Sequence, residues 1–183
     1  MKIFNFDAPC IVKSFKNHSK LKEDVLDYIN HDMTRRHLQT ETMDIYSDWG
    51  TYGTGRKNYW RILKEEVNNF MTEVMVGDLG YDSCEVSNYW YQQYNKGGKH
   101  GWHVHLRCMY TSVYYLEFPE GSPQTEFMNS ITKNIQQIDF VKEGDIITFP
   151  SYIIHRAAEN TTDQRKTILS WHCDVNYDKS LYK

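Results

Sequence analysis

The sequence His103-Val104-His105 is followed about fifty residues later by Phe149-Pro150-Ser151-Tyr152-Ile153-Ile154-His155, and then by Arg165. Two imidazoles two positions apart on an extended strand project from one face, because strand side chains alternate with period two. A third can join them from a neighbouring strand. Three such nitrogens can hold a metal on one side and leave its other side open, the arrangement that non-haem iron chemistry with oxygen uses. His103, His105 and His155 are therefore the candidate metal ligands.

The surrounding residues say how these side chains could be brought together. The glycine-rich stretch Asn95-Lys96-Gly97-Gly98-Lys99 lets backbone and imidazoles crowd a common point ahead of His103. His100, three positions from His103 with Gly101 between them, reads as part of a turn and is left out of the ligand set. Lys142-Glu143-Gly144-Asp145 is a turn, Ile146 to Phe149 a buried strand, and Pro150 ends it. The strand after it carries His155 back across the same sheet.

These strands belong to a β-prone half running from about residue 84 to 176. Short runs are broken by turn residues at Glu85 to Tyr94, His103 to Leu106, Thr111 to Phe118, Gln124 to Met128, Gln136 to Val141, Asp145 to Phe149, Ile154 to Ala158 and Lys166 to Val175. Such a series predicts a mainly β member of the α+β class, with a jelly-roll or cupin-like core, the double-stranded β-helix. The first eighty residues read as helical support packed on its outside. A short strand is expected around Ile3 to Phe6. Ser19 would cap a first helix with Leu21, Val25, Tyr28 and Ile29 at helical spacing, and Asn58 a second with Trp60, Leu63, Val67, Phe70, Met71 and Val74, ending near Gly77 or Gly80. Thr34 to Gly55 shows no steady periodicity and is assigned no structure.

The chain of 183 residues suits a single domain, and its 14 tyrosines and five tryptophans suit pleated surfaces. Its net charge of -3, with no basic block long enough to track phosphates, gives no support to nucleic-acid binding. Cys10, Cys84, Cys108 and Cys173 form no C-x-x-C pair, so neither a zinc ribbon nor a redox dithiol is indicated. The absence of a long apolar run leads to the expectation of a soluble, cytoplasmic protein.

From Val86 to Val175 the sequence resembles the Fe(II)/2-oxoglutarate-dependent oxygenases, particularly their prolyl-4-hydroxylase-like branch. The resemblance rests on Tyr94 and the glycines after it, on Val113-Tyr114-Tyr115-Leu116, on Gly144-Asp145 leading to Phe149-Pro150-Ser151 and His155, and on Arg165. It implies that His103 and His155 ligate Fe(II) and that Arg165 pairs with the C5 carboxylate of the co-substrate 2-oxoglutarate. It also implies that Tyr115 bonds the same carboxylate and that Tyr94 lines its pocket. Thr167 shares the parity of Arg165 and would add a hydroxyl; Trp171 shares it too and would form a pocket wall. A buried dicarboxylate needs such a forked, permanently charged guanidinium.

The sequence departs from the family pattern at one position. Where the family carries His-x-Asp or His-x-Glu, this chain has His105, and three neutral imidazoles leave a divalent ion one unit more positive. His172-Cys173-Asp174 spells the usual motif, but no histidine follows it. If Arg165 and Thr167 face inward, His172 and Asp174 face outward. The resemblance implies hydroxylation of an unidentified substrate with release of succinate and carbon dioxide. Two alternatives stand beside it: a three-histidine cupin-type dioxygenase that does not use 2-oxoglutarate, and a non-catalytic metal-binding or structural module of the same fold. A protein side chain, a nucleobase and a small metabolite remain open as substrates.

Overall fold

The computed structural model describes residues 8–51 and 57–177. The expected strand at Ile3 to Phe6 lies outside them. After β1 (Ile11–Ser14), helix α1 (His18–Asn30) buries Val25, Leu26 and Ile29. Ser19 lies inside this helix, which starts after Asn17 without a side-chain cap; Tyr28 faces solvent. Helix α2 (Asn58–Thr72) buries Tyr59, Trp60, Leu63, Val67, Phe70 and Met71, three or four positions apart, as an amphipathic face requires. Asn58 is its first residue and not its cap. A π-helical turn (Glu73–Asp78) extends it and keeps Val74 and Met75 buried before Gly80 turns the chain away at φ +76°. No helix among the described residues is long and apolar enough to cross a membrane.

The stretch assigned no structure contains two strands, β2 (Arg36–Gln39) and β3 (Met43–Ser47), paired with each other in register Arg36 with Ser47. Periodicity missed them because β2 is mostly exposed and β3 gains its place only through β4 and β5. Asp48, fully buried, then ties this segment down. It takes bonds from Tyr59 Oη at 2.6 Å and the Tyr91 backbone N–H at 3.0 Å, and pairs with Lys57 Nζ at 2.8 Å.

The remaining strands are β4 (Ser83–Tyr94), β5 (Lys99–His103), β6 (Tyr110–Glu117), β7 (Thr125–Met128), β8 (Ile135–Gln137), β9 (Asp145–Pro150), β10 (Ile154–Ala157) and β11 (Lys166–Asn176). All pair antiparallel in the order β1-β9-β6-β11-β4-β3-β5-β10-β7-β8, with β2 beside β3. The sheet curls on itself into the expected double-stranded β-helix. Its outer face meets α1 and α2 through Tyr91, Tyr114, Leu169, Trp171 and Cys173, while the interior packs Ile45, Tyr94, Val113, Tyr115, Ile147, Phe149 and Ile168. The central strands are thus buried on both faces.

Candidate metal centre

The site forms where β5 and β10 run side by side. His103 is the direct partner of His155 across that ladder. His105 lies just past the end of β5, where its backbone N–H donates to Ser151 O at 3.0 Å and keeps the chain extended beside the β9–β10 turn. The strand expected over His103 to Leu106 therefore runs instead over Lys99–His103, with His100 inside it. The possible ligand atoms of His103, His105 and His155 all lie within 4.8 Å of one another.

Their hydrogen bonds fix which nitrogens converge. His103 Nδ1 lies 2.7 Å from Gly101 O and His155 Nδ1 lies 2.9 Å from Ile153 O. A carbonyl can only accept, so both Nδ1 atoms carry hydrogen and both Nε2 atoms present bare lone pairs. His105 Nε2 lies 3.2 Å from His155 Nε2, and its Nδ1 contacts His172 Nε2 at 3.3 Å. Desolvation, and then the neighbouring imidazoles, lower the pKa of His105 to about 2; burial and His103 lower that of His155 to about 3. Desolvation lowers His103 as well. The cluster is therefore neutral at ordinary pH, which is the protonation state that metal ligation needs.

A narrow cavity of about 20 Å³ opens beside these rings, lined among others by Trp90, Gln92, Tyr94, His100, Thr125 and Ser170. A roomier groove of about 440 Å³ between α2 and β4, lined by Trp60, Lys64, Cys84 and Tyr89, has no converging ligand set among the described residues, so volume alone does not locate a metal site. His100 stacks on His103 with ring centroids 4.1 Å apart. Tyr94 Oη donates to Gln92 Oε1 at 2.7 Å, which leaves Gln92 Nε2 to donate to His100 Nδ1 at 3.0 Å. His100 thereby keeps its hydrogen on Nε2.

The residues expected to clamp an anion divide between two faces of the sheet. Tyr94 and Tyr115 face the interior, where the Tyr115 hydroxyl lies 2.8 Å from Thr125 Oγ1 and accepts the Thr125 backbone N–H at 3.3 Å. Of the five, Tyr94 alone lines the cavity, and Arg165 and Trp171 turn to the helix side of the sheet. Arg165 forks onto Glu117 through Nε at 2.9 Å and Nη2 at 3.0 Å, and its Nη1 donates to Asn30 Oδ1 at 2.8 Å. Thr167 donates to the same Glu117 carboxylate, and Trp171 packs beside Trp60 of α2. The guanidinium is thus satisfied by protein groups.

Lys166 takes the inward position. It is 1 % exposed, donates to Pro123 O, and holds its Nζ over the rings of Tyr94, Tyr115 and Phe118 at 5.3 to 5.6 Å. No carboxylate among the described residues pairs with it, and burial lowers its pKa to about 7. A buried ammonium without an anion is costly. Ile168, Ser170 and His172 share its parity, so His172 lies on the site face, whereas Asp174 accepts the Met109 backbone N–H at 3.0 Å on the surface. His172 is not in the ligand cluster but touches it through His105.

No family model matches the sequence, and no curated protein matches it. Comparison with solved structures finds the fold. A 2OG-Fe(II) oxygenase family oxidoreductase from Burkholderia pseudomallei superposes with a TM-score of 0.69 at 10% identity, covering 93% of this chain and 88% of that one. The viral collagen prolyl hydroxylase of Paramecium Bursaria Chlorella virus-1, solved as a 2OG complex, gives 0.62 at 14% identity over 91% and 94%. A Pseudomonas putida prolyl-4-hydroxylase gives 0.61 at 13% identity over 90% and 92%.

Proposed function

We propose that this chain, which has the fold of the prolyl-4-hydroxylase-like 2OG-Fe(II) oxygenases, is itself a 2-oxoglutarate-dependent oxygenase with a three-histidine metal centre. One observation carries the reading: three imidazoles converge at one end of a barrel whose interior also buries Lys166, which has no carboxylate partner among the described residues. A neutral nitrogen cluster fits a divalent metal, and a buried cation fits a carboxylate. Both are needed to seat a dicarboxylate that also reaches the metal.

His103, His105 and His155 would hold Fe(II), and Lys166 would take the far carboxylate of 2-oxoglutarate, the role that the sequence resemblance had implied for Arg165. Tyr115 and Thr125 lie on the same interior surface and add hydroxyls toward that carboxylate. The stacked His100 offers an Nε2–H donor to a cavity group without gaining charge, since burial lowers its pKa to about 3. With O2 as the oxidant, Fe(II) and 2-oxoglutarate, when bound, would supply the oxidising chemistry, one oxygen atom leaving in succinate as carbon dioxide is released and the other going to the substrate. The chain's own share is to fix the ligating tautomers of His103 and His155, to neutralise a buried anion and to surround the site with Trp90, Tyr94, Val113 and Ile168, which restrict water. The three-imidazole set also suits a dioxygenase that binds its substrate directly to the metal. Lys166 favours the 2-oxoglutarate reading.

The test is succinate release from 2-oxoglutarate during oxygen consumption by the Fe(II)-loaded protein. Succinate in proportion to oxygen consumed supports the reading. Oxygen consumption without succinate favours the direct dioxygenase, and neither activity favours a non-catalytic module.

A further inference from the structure

His105 stands where the related motif has a carboxylate, and two residues beyond it complete a chain of hydrogen bonds. His172 Nε2 lies 3.3 Å from His105 Nδ1, and Asn88 Nδ2 lies 3.4 Å from His172 Nδ1. Trp90 packs against both rings, tilted at 5.5 Å from His105 and edge-on at 5.1 Å from His172. The backbone is shaped for this contact. On β11 the register with β4 shifts between Ser170 and His172, so that Asn88 and Tyr89 together oppose the single residue Trp171. Asn88 sits in this bulge at φ +45°, a left-handed conformation that asparagine tolerates better than most residues.

The direction of the chain has consequences for ligation. Because His155 Nδ1–H is committed to Ile153 O, His155 Nε2 is an acceptor, and its 3.2 Å contact with His105 Nε2 requires that atom to carry hydrogen. His105 Nδ1 then accepts from His172 Nε2–H, and His172 Nδ1 accepts from the Asn88 amide. Every link agrees, and in this direction His105 Nε2 has no lone pair for a metal. Ligation requires each link to reverse: Asn88 turns its amide so that Oδ1 accepts from His172 Nδ1–H, and His172 Nε2 accepts from His105 Nδ1–H. Each imidazole keeps one hydrogen throughout; only the nitrogen that bears it changes.

We infer that Asn88 and His172 form an outer relay that must reverse for His105 to ligate, so that these two positioning residues set the metal affinity of the site. The inference rests on the three-histidine reading above. It also implies that the missing carboxylate can be resupplied at a distance, since an aspartate at position 88 can only accept and would hold the relay in the ligating direction.

The experiment is calorimetric titration of the full chain with Co(II) alone, with circular dichroism of each variant to verify folding. Wild type should bind one Co(II) per chain, and His103→Ala should lose it. His172→Phe should weaken binding about 10- to 100-fold, the usual cost of removing an orienting partner. Asn88→Gly, which keeps the positive φ and is surface-exposed, should weaken it in the same direction, and Asn88→Asp should tighten it. In a His105→Asp background, His172→Phe should have no effect. Unchanged affinity in all three relay variants, with wild type still binding at His103, overturns the relay and leaves the metal site standing. Equal loss from Asn88→Gly and Asn88→Asp also overturns it, because it would report packing and not direction. A wild type that binds no Co(II) overturns the metal reading and the relay with it.

Discussion

Replacing Lys166 with methionine separates two accounts of how an anion could be held. The Lys166 side chain is fully buried with no carboxylate partner among the described residues, and burial lowers its pKa from 10.5 to about 7. That shift corresponds to a folding penalty of up to about 5 kcal/mol at neutral pH. Lys166→Met removes the penalty and keeps most of the aliphatic volume, so the unliganded protein should become more stable. The same change should weaken 2-oxoglutarate binding by about 2 to 5 kcal/mol, or roughly 30- to several thousand-fold, because the carboxylate loses its buried partner. Arg165→Met should behave in the opposite way. Its fork to Glu117 and its bond to Asn30 are structural, and their loss should cost about 1 to 3 kcal/mol of stability while co-substrate affinity holds. Anaerobic calorimetry of 2-oxoglutarate on the metal-loaded variants, paired with urea unfolding of the unliganded ones, reads both quantities. Affinity lost in Arg165→Met and retained in Lys166→Met would refute the assignment.

The other predictions follow from the same residues. Because Lys166 must be protonated to hold an anion, 2-oxoglutarate affinity should fall about tenfold per pH unit above roughly pH 7, measured by titration at several pH values. The unliganded protein should gain stability over the same rise, between about pH 7 and pH 10, since the unfolded lysine still binds a proton there and the folded one does not; urea midpoints that stay level would contradict the burial argument. His103→Ala and His155→Ala should each abolish stoichiometric Fe(II) binding while leaving the circular dichroism unchanged, and iron retained in either would contradict the ligand set. His105→Asp should keep iron, and His105→Ala should weaken its binding, as measured by metal analysis after dialysis.

The sequence showed the double-stranded β-helix plainly, because turn residues punctuate eight of its strands at regular spacing. It also showed the His103, His105 and His155 cluster that the fold brings together. What it could not show was the facing of β11. The run from Lys166 to Val175 alternates, with Thr167, Leu169, Trp171, Cys173 and Val175 on one parity and Lys166, Ile168, Ser170, His172 and Asp174 on the other, but the apolar parity packs against the helices and the more polar one faces the barrel interior, so alternation alone does not say which face is inward. Taking Arg165 as inward fixed the parity of the whole strand. Thr167 and Trp171 were thereby drawn into the pocket, and Lys166 and His172 were turned out of it. A one-residue choice of phase on a strand moves every side chain to the other face. The strands β2 and β3 were hidden for a different reason: their places depend on pairing with β4 and β5, which no local pattern encodes. His100 was misplaced because Gly101 read as a turn, although the chain stays extended there, with the glycine packed close to Thr42.

The most direct test is an anaerobic crystal structure of the chain with Fe(II) and 2-oxoglutarate. The account predicts iron bound to Nε2 of His103, His105 and His155, with the far carboxylate of 2-oxoglutarate on Lys166 and Arg165 still forked onto Glu117. A His105 ring turned away with water in its place, or a co-substrate carboxylate seated on Arg165, would contradict it.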